Sequence, residues 1–480
     1  MIKLEVVIQN LSEKDYSSLV NQFEKTKGDK FVRLLGFLKA GNISDNEMIE
    51  KLNVTKSAFY TLKSRLAEKI QEHLFKNVDD HRIELLRNVS NIHNLIYNTP
   101  RETAIAMLVK METELKENDL PNELTSVYSA LKKLHLHTPK YFEYSQQYNK
   151  HIAFTIAIEK AEDLLSDFSK TLGEYEIWRD NNIAIKLALI KKEMQNICRL
   201  NESHHLRIYK HLVSISFALF VPLSDEIKDD DSVEEMLTAS YKIFDTYDKD
   251  GNYKYLRNVF DYLSFEYYHA LKLYKNEAPY FEKVNSNLTA FLLSGHCSFN
   301  TRFLKSKIER YILLGEENKL TEEIKSFNHE VVAADVPNYI NLNIYKAACA
   351  YYSKKYSEAA KILYEILQGV NFRNVFHAET EVKLFLALCF SMCNKYDQTE
   401  STLRSVSRKI ADNLEEGSYE NASTFVKMLK LQMTSEIKNM EEKFIKHRNE
   451  FLKQNIGTER MLGFIKLDDV FLKEFSKGVK

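Results

Sequence analysis

Ala347-Ala-Cys-Ala-Tyr-Tyr-Ser-Lys-Lys-Tyr356 and Ala387-Leu-Cys-Phe-Ser-Met-Cys-Asn-Lys-Tyr396 stand 40 residues apart and follow one pattern. Cys349 aligns with Cys389, Lys355 with Lys395 and Tyr356 with Tyr396. Before the first Lys-Lys-Tyr turn, Ile340, Ile344, Ala347, Ala348 and Tyr351 recur at a spacing that places them along one side of an α-helix. After it, Ala359, Ile362, Leu363, Ile366 and Leu367 make the matching stripe of a second helix. Small residues at 347 and 348 let the paired helices approach closely, Ala347, Ala359 and Ala387 are packing positions of the repeat, and Tyr356 and Tyr396 pack over the turn of each unit. The pattern predicts a helix hairpin used at least twice.

The segment from Asn341 to Lys409 resembles the tetratricopeptide family, in which a small residue and an aromatic in the first helix, a tyrosine at the turn and an alanine in the second helix follow in that order. It departs from the family in a turn one residue short, in the lack of a glycine there, in Thr399 where alanine is expected, and in a repeat of 40 residues rather than about 34. Weaker hairpin-like units are expected at Tyr255 to Lys275 and at Phe303 to Phe327. The resemblance implies a superhelix of helix pairs that binds a protein or peptide.

Composition extends this reading to the whole chain. Gly 12 and Pro 6 make 18 of 480 residues, under 4%, where average usage would give roughly 12%. Folds that need many tight turns or glycine-rich phosphate loops are disfavoured, and an all-α fold is expected. Lys+Arg 67 against Asp+Glu 68 leaves no global excess charge to drive nonspecific binding to nucleic acid or membrane. Cys198, Cys297, Cys349, Cys389 and Cys393 are odd in number and thinly spread, which fits a reducing, cytoplasmic setting. The start of the chain has no signal-peptide pattern. The apolar run from Leu212 to Leu223 is too short to span a bilayer, contains Ser214 and Ser216, and reads as a buried helix.

Residues 1–78 read as short helices with clear boundaries. Ile2, Leu4, Val6 and Ile8 alternate and fit either a strand or a helix lead-in. Phe31 to Lys39 is a helix stopped by Gly41. Ser44-Asp-Asn-Glu47 carries the capping-box spacing, and Thr55 is placed to cap a longer helix whose inward face is Phe59, Leu62, Leu66 and Ile70. The stretch Glu47 to Leu66 resembles the helix-turn-helix of sigma-factor and related bacterial regulators, whose second helix enters the DNA major groove. Carried onto this chain, the outward positions are Lys56, Ser57, Tyr60, Thr61, Lys63 and Ser64, with Arg65 beside them. Between Lys56 and Lys69 four basic residues (Lys56, Lys63, Arg65, Lys69) face one acidic one (Glu68), a local excess of three positive charges. The same three helices also fit a purely structural docking module, and Asp45, Glu47, Glu50 and Glu72 dilute the basic patch.

No catalytic set is assignable. His204-His205 with His211, His135-x-His137 and His296-Cys297 lack the paired spacing of structural zinc sites; Cys389 and Cys393 share a helical face that packing explains. Asp248-Lys-Asp250-Gly251 fails as a calcium loop, because that register leaves Thr246 and Arg257 where carboxylates are needed. Phosphate-loop, dinucleotide and nucleophile-elbow motifs are missing. The 27 tyrosines and 28 phenylalanines read as filler between helices.

The expectation is therefore a non-enzymatic, cytoplasmic, all-α protein. A helix-turn-helix-like module over 1–78 precedes a helical array over 79–225 and a tetratricopeptide-like array over 232–480, the last two separated by the acidic run Asp225 to Asp231. It needs no cofactor or metal, does not engage a membrane, and holds a protein or peptide. The alternative is a transcriptional regulator whose N-terminal module contacts DNA.

Overall fold

The computed structural model describes residues 4–9, 11, 13–25, 28–41, 43–76, 81–201, 203–221, 231–248, 251–292, 300–325, 327, 329–373, 375–413, 418–433 and 440–477. Among them every regular element is helical and no strand occurs. The fold is all-α, as composition and periodicity predict. Cys297, His296 and most of the acidic run lie outside the described residues.

Two compact units divide the chain, Met1–Leu95 and Ile96–Lys480, where three segments are expected from the sequence. In the first, α1 (Leu4–Gln9), α2 (Glu13–Lys25), α3 (Asp29–Ala40), α4 (Asp45–Leu52), α5 (Lys56–Lys76) and α6 (His81–Ser90) follow one another. The alternating segment is thus helical from Leu4 onward, and Ile2 lies outside the described residues. Gly41 ends α3 with φ 71°, a left-handed value that costs glycine nothing. The Ser44 amide donates to Glu47 Oε2 at 3.1 Å and the Glu47 amide to Ser44 Oγ at 3.4 Å, so the capping box is formed. Thr55 Oγ1 accepts from the Ala58 amide at 3.3 Å. Leu19, Phe23, Leu34, Leu35, Met48, Phe59, Leu66 and Ile70 are buried in one core, and Leu62 packs against it from its edge.

Helix α7 (Ile92–Asn98) crosses the boundary between the units. Beyond it come α8 (Arg101–Glu117), α9 (Pro121–Leu134), α10 (Lys140–Trp178), α11 (Asn181–Leu200), α12 (His204–Phe220), α13 (Val233–Thr246), α14 (Gly251–Ala270) and α15 (Tyr274–Ser286). These are followed by α16 (Leu288–Leu292), α17 (Arg302–Leu314), α18 (Asn318–Glu323), α19 (Val336–Tyr352), α20 (Tyr356–Gly369), α21 (Phe376–Met392), α22 (Tyr396–Asn413), α23 (Glu420–Lys430), α24 (Met440–Gln454) and α25 (Asp469–Lys477). Successive helices pack on their neighbours in the chain, an arrangement consistent with an α-α superhelix. Ser232 and Glu235 form a second capping box at the start of α13.

One turn recurs between paired helices. Asp119, Lys272, Gly315, Lys354 and Asn394 take φ between 53° and 71°. The amide of the next residue returns in each case to the carbonyl five positions back: Leu120 to Leu115, Leu273 to Tyr268, Glu316 to Tyr311, Lys355 to Ala350 and Lys395 to Phe390, at 2.8–3.1 Å. This is the hydrogen-bonding logic of a Schellman cap. It joins α8 to α9, α14 to α15, α17 to α18, α19 to α20 and α21 to α22. Four of the five left-handed positions carry a side chain, which explains why no glycine marks them in the sequence.

Ala347, Ala359 and Ala387 are fully buried where the hairpins close. Thr399 is buried at the position of Ala359, and its hydroxyl donates to the Lys395 carbonyl one turn back at 3.0 Å, so a polar group fits that apolar site without losing a partner. The two turn tyrosines differ. Tyr356 sits against Tyr351, ring centroids 5.3 Å apart, and its hydroxyl donates to Glu474 of α25 at 3.1 Å. Tyr396 instead donates to Asn394 of its own turn at 3.1 Å.

A continuous apolar core runs from Ala161 to Phe475. The 39-residue α10 packs on α9, α11 and α12, and also on α19 and α21 much later in the chain. Gly173 permits this approach: a Cβ there would lie 3.2 Å from Pro337 Cγ at the start of α19. Tyrosine hydroxyls tie helices together by donating to carboxylates, Tyr128 to Glu112 at 2.9 Å, Tyr209 to Glu162 at 3.0 Å, Tyr241 to Asp261 at 2.7 Å and Tyr311 to Glu323 at 2.7 Å. The aromatic richness of the sequence is therefore packing material with polar tips.

Candidate binding surfaces

Two surfaces present chemistry, one in each unit. In the first unit α4, the turn at Asn53 and α5 place Lys56, Ser57, Tyr60, Thr61, Ser64 and Arg65 in solvent. Tyr60 is 49% exposed, and the Thr61 hydroxyl donates to the Ser57 carbonyl at 3.0 Å. Lys63 corrects the expected outward set. Its ammonium lies 3.5 Å from Asp45 and 5.9 Å from the centre of the Phe59 ring, with the side chain only 20% exposed. The position turns inward because α5 rotates it toward α4, where a carboxylate attracts it. Lys69 likewise covers the Phe31 ring at 5.6 Å. The basic face of α5 thus reduces to Lys56 and Arg65.

In the second unit a cavity of about 320 Å³ opens where the ends of α10 and α12, the helices α14, α17 and α21, and the segment around residues 457–464 meet. Its walls are charged with both signs. Arg302 pairs with Glu176 at 3.2 Å, Lys305 with Glu381 at 3.0 Å and Arg460 with Glu309 at 2.7 Å. Ser306 Oγ donates to Glu266 at 2.6 Å, and the Leu462 amide to Glu381 at 2.9 Å. The Arg302 guanidinium also lies 4.5 Å from the centre of the Phe220 ring, and that of Arg179 lies 5.4 Å from the centre of Tyr175.

These neighbours set the protonation states. Burial drives Glu266 above the ordinary carboxylate range, outweighing the opposing Arg302 charge and the Ser306 hydrogen bond. Burial acts on Glu381 in the same sense, yet the Lys305 charge and the Leu462 amide hold it below that range. His377 is pushed down to about 3, first by burial and then by Arg179, and stays neutral at neutral pH. A cavity lined by Glu266, whose carboxyl burial shifts upward, a neutral His377 and paired charges offers hydrogen bonds and charge placement to a ligand. Sequence reading singled out none of these residues, because they come from segments between 176 and 464. The available signal was the presence of Glu266 and Glu381, with Asp261 and His377 near them, on buried faces of α14 and α21 that also carry many apolar residues.

The cysteine and histidine candidates separate. Cys198, Cys349, Cys389 and Cys393 are all free thiols, and burial raises the thiol pKa of each. His211 is buried with Nδ1 2.8 Å from Ser240 Oγ, a satisfied core histidine. His135 bonds Thr138 in its own turn at 3.1 Å. His204 and His205 lie beside Asp119, a residue the sequence gave no reason to associate with them. No described helix is long and apolar enough to cross a membrane, and of the run from Leu212 the residues Leu212 to Phe217 lie buried in α12, while its last two lie outside the described residues.

Comparison with models of known protein families, with curated proteins and with solved structures finds no match to this chain.

Proposed function

We propose that this protein is a non-enzymatic scaffold of a reducing, cytoplasmic setting, and that its second unit holds a peptide or an extended segment of a protein partner. The observation that carries the reading is the charged cavity of about 320 Å³ at the meeting of helices far apart in sequence. Burying ion pairs is costly compared with apolar packing, so their concentration around one opening fits a recognition role better than a stability role. Alternating charges suit a ligand that bears both signs, as a peptide does. The test is binding of the full chain to a peptide array, comparing wild type with Arg179→Ala and Arg460→Ala, two lining residues short of full burial. Captured peptides should lose at least tenfold in affinity with these variants. Equal binding by wild type and both variants removes the cavity from the reading.

The alternative, a regulator whose first unit contacts DNA, draws on the exposed row Lys56, Ser57, Tyr60, Thr61, Ser64 and Arg65 along one helix after a capped turn. Each phosphate contact contributes about 0.9 to the slope of log affinity against log salt. Lys56→Ala with Arg65→Ala should therefore lower the slope of any duplex-DNA binding by about 2, read by gel shift at several salt concentrations. No binding at low salt leaves the module structural.

A further inference from the structure

The turn between α8 and α9 brings Asp119 to the first residues of α12, although 84 positions separate it from Ser203 in the chain. Asp119 Oδ2 lies 3.6 Å from His205 Nδ1 and 4.0 Å from His204 Nε2, and one potential ligand atom from each of the three residues falls within 4.8 Å of the others. We infer that Asp119, His204 and His205 bind a divalent transition metal ion of the zinc class, fastening the α8–α9 turn to the start of α12.

Chemistry and support favour this assignment. Two imidazoles and one carboxylate are borderline ligands that suit zinc, cobalt and their neighbours; calcium and magnesium require an oxygen cage. Zinc–ligand bonds of about 2.0–2.1 Å at tetrahedral angles place ligand atoms about 3.3 Å apart, so the two carboxylate–imidazole separations close by less than about 1 Å on binding and no separation by more than about 1.5 Å. The ligands are already oriented. The Tyr253 hydroxyl meets His204 Nδ1, which directs Nε2 toward Asp119, and Tyr247 stacks on the same ring with centroids 3.8 Å apart. Ser203 donates its hydroxyl to Asp119 Oδ2. Such outer partners fix the tautomer and direction of metal-binding side chains.

The backbone adds a constraint. Asp119 occupies the left-handed position of the hairpin turn, φ 53°, where its carboxylate is carried toward α12 by the Schellman geometry. Asp119 and His204 also line an open cavity of about 510 Å³ with Arg207 and Lys242. That cavity leaves room for a fourth ligand, water or an anionic group, opposite the protein ligands. It shares no lining residue with the charged cavity, so the metal site stands independently of the peptide-binding reading.

The test uses the full chain, stripped with a chelator and titrated with Co²⁺ and then Zn²⁺. One equivalent of cobalt should develop the visible bands of a tetrahedral nitrogen–oxygen site, zinc should displace it, and zinc should raise the melting temperature. Asp119→Asn and His205→Gln should each weaken zinc binding by at least roughly 100-fold, and Tyr253→Phe, which keeps all three ligands, by about 10- to 100-fold. Far-UV circular dichroism identifies any variant that fails to fold, and the remaining variants then decide. Failure of the wild-type chain to bind zinc at micromolar free metal overturns the assignment, as does equal affinity in wild type and the folded variants.

Discussion

His377 lies on α21 only 4% exposed, with Nδ1 3.2 Å from the Tyr419 hydroxyl. Burial and the nearby Arg179 hold it neutral down to about pH 3 in the folded protein, whereas the unfolded chain takes up a proton near pH 6.5. Its folded pKa is depressed, so the stability it contributes is present above pH 6.5 and lost as the pH falls from there toward 3. The wild type should therefore lose roughly 2 kcal/mol through this residue between pH 7 and pH 5. His377→Gln should remove that part of the acid limb, read from urea unfolding at the two pH values; parallel curves for the two proteins would contradict it. At this scale the sequence is least informative. Lys63 looked outward until Asp45 and the Phe59 ring were placed beside it, and Asp119 acquires its histidine neighbours solely through the fold.

Among elements, the hairpin turn is the unit most worth testing. Lys354 and Asn394 occupy equivalent left-handed positions with φ 60° and 58°. A lysine pays for its Cβ there by roughly 1–2 kcal/mol, and asparagine tolerates the region better. Lys354→Gly should raise stability by about 0.5–1 kcal/mol, after discounting the greater freedom glycine has in the unfolded chain, and Asn394→Gly by less. The Lys354–Glu474 pair lost in the first variant is 72% exposed on the lysine side and contributes little. Denaturant midpoints for the two variants check both the sign and the order. Helices themselves were legible: the stripe around Ala347 and Ala359, the caps at Gly41, Ser44 and Thr55, and the stop before Lys354 follow from spacing and side-chain chemistry. The left-handed conformation of the turns was not, because four of the five positions carry residues other than glycine; Thr399, standing where alanine is expected, keeps that site by satisfying its hydroxyl within the helix.

For the molecule as a whole, composition predicted the helical class, while long-range packing within the second unit could not be read from periodicity. Nothing in the repeat of 40 residues tells that α10 crosses to α19 and α21, or that Gly173 is the point of approach to Pro337. This contact has a consequence for fragments. A chain restricted to 232–480 would expose the faces of α19 and α21 that α10 covers, so it should melt broadly or aggregate; a sharp, reversible transition in calorimetry would show that those residues hold a core of their own. The tyrosine-to-carboxylate bonds spread through the same unit act together in strong base. Tyr128, Tyr241 and Tyr311 each have a phenol raised far above its ordinary value, first by burial and then by the acidic partner or its charge. Phenolate next to carboxylate is like charge beside like charge in a medium that screens it poorly, so each of these rings resists ionisation while its helices stay packed. Alkali should therefore unmask these rings late: the tyrosinate absorbance of the buried phenols should appear only where circular dichroism shows the helices parting.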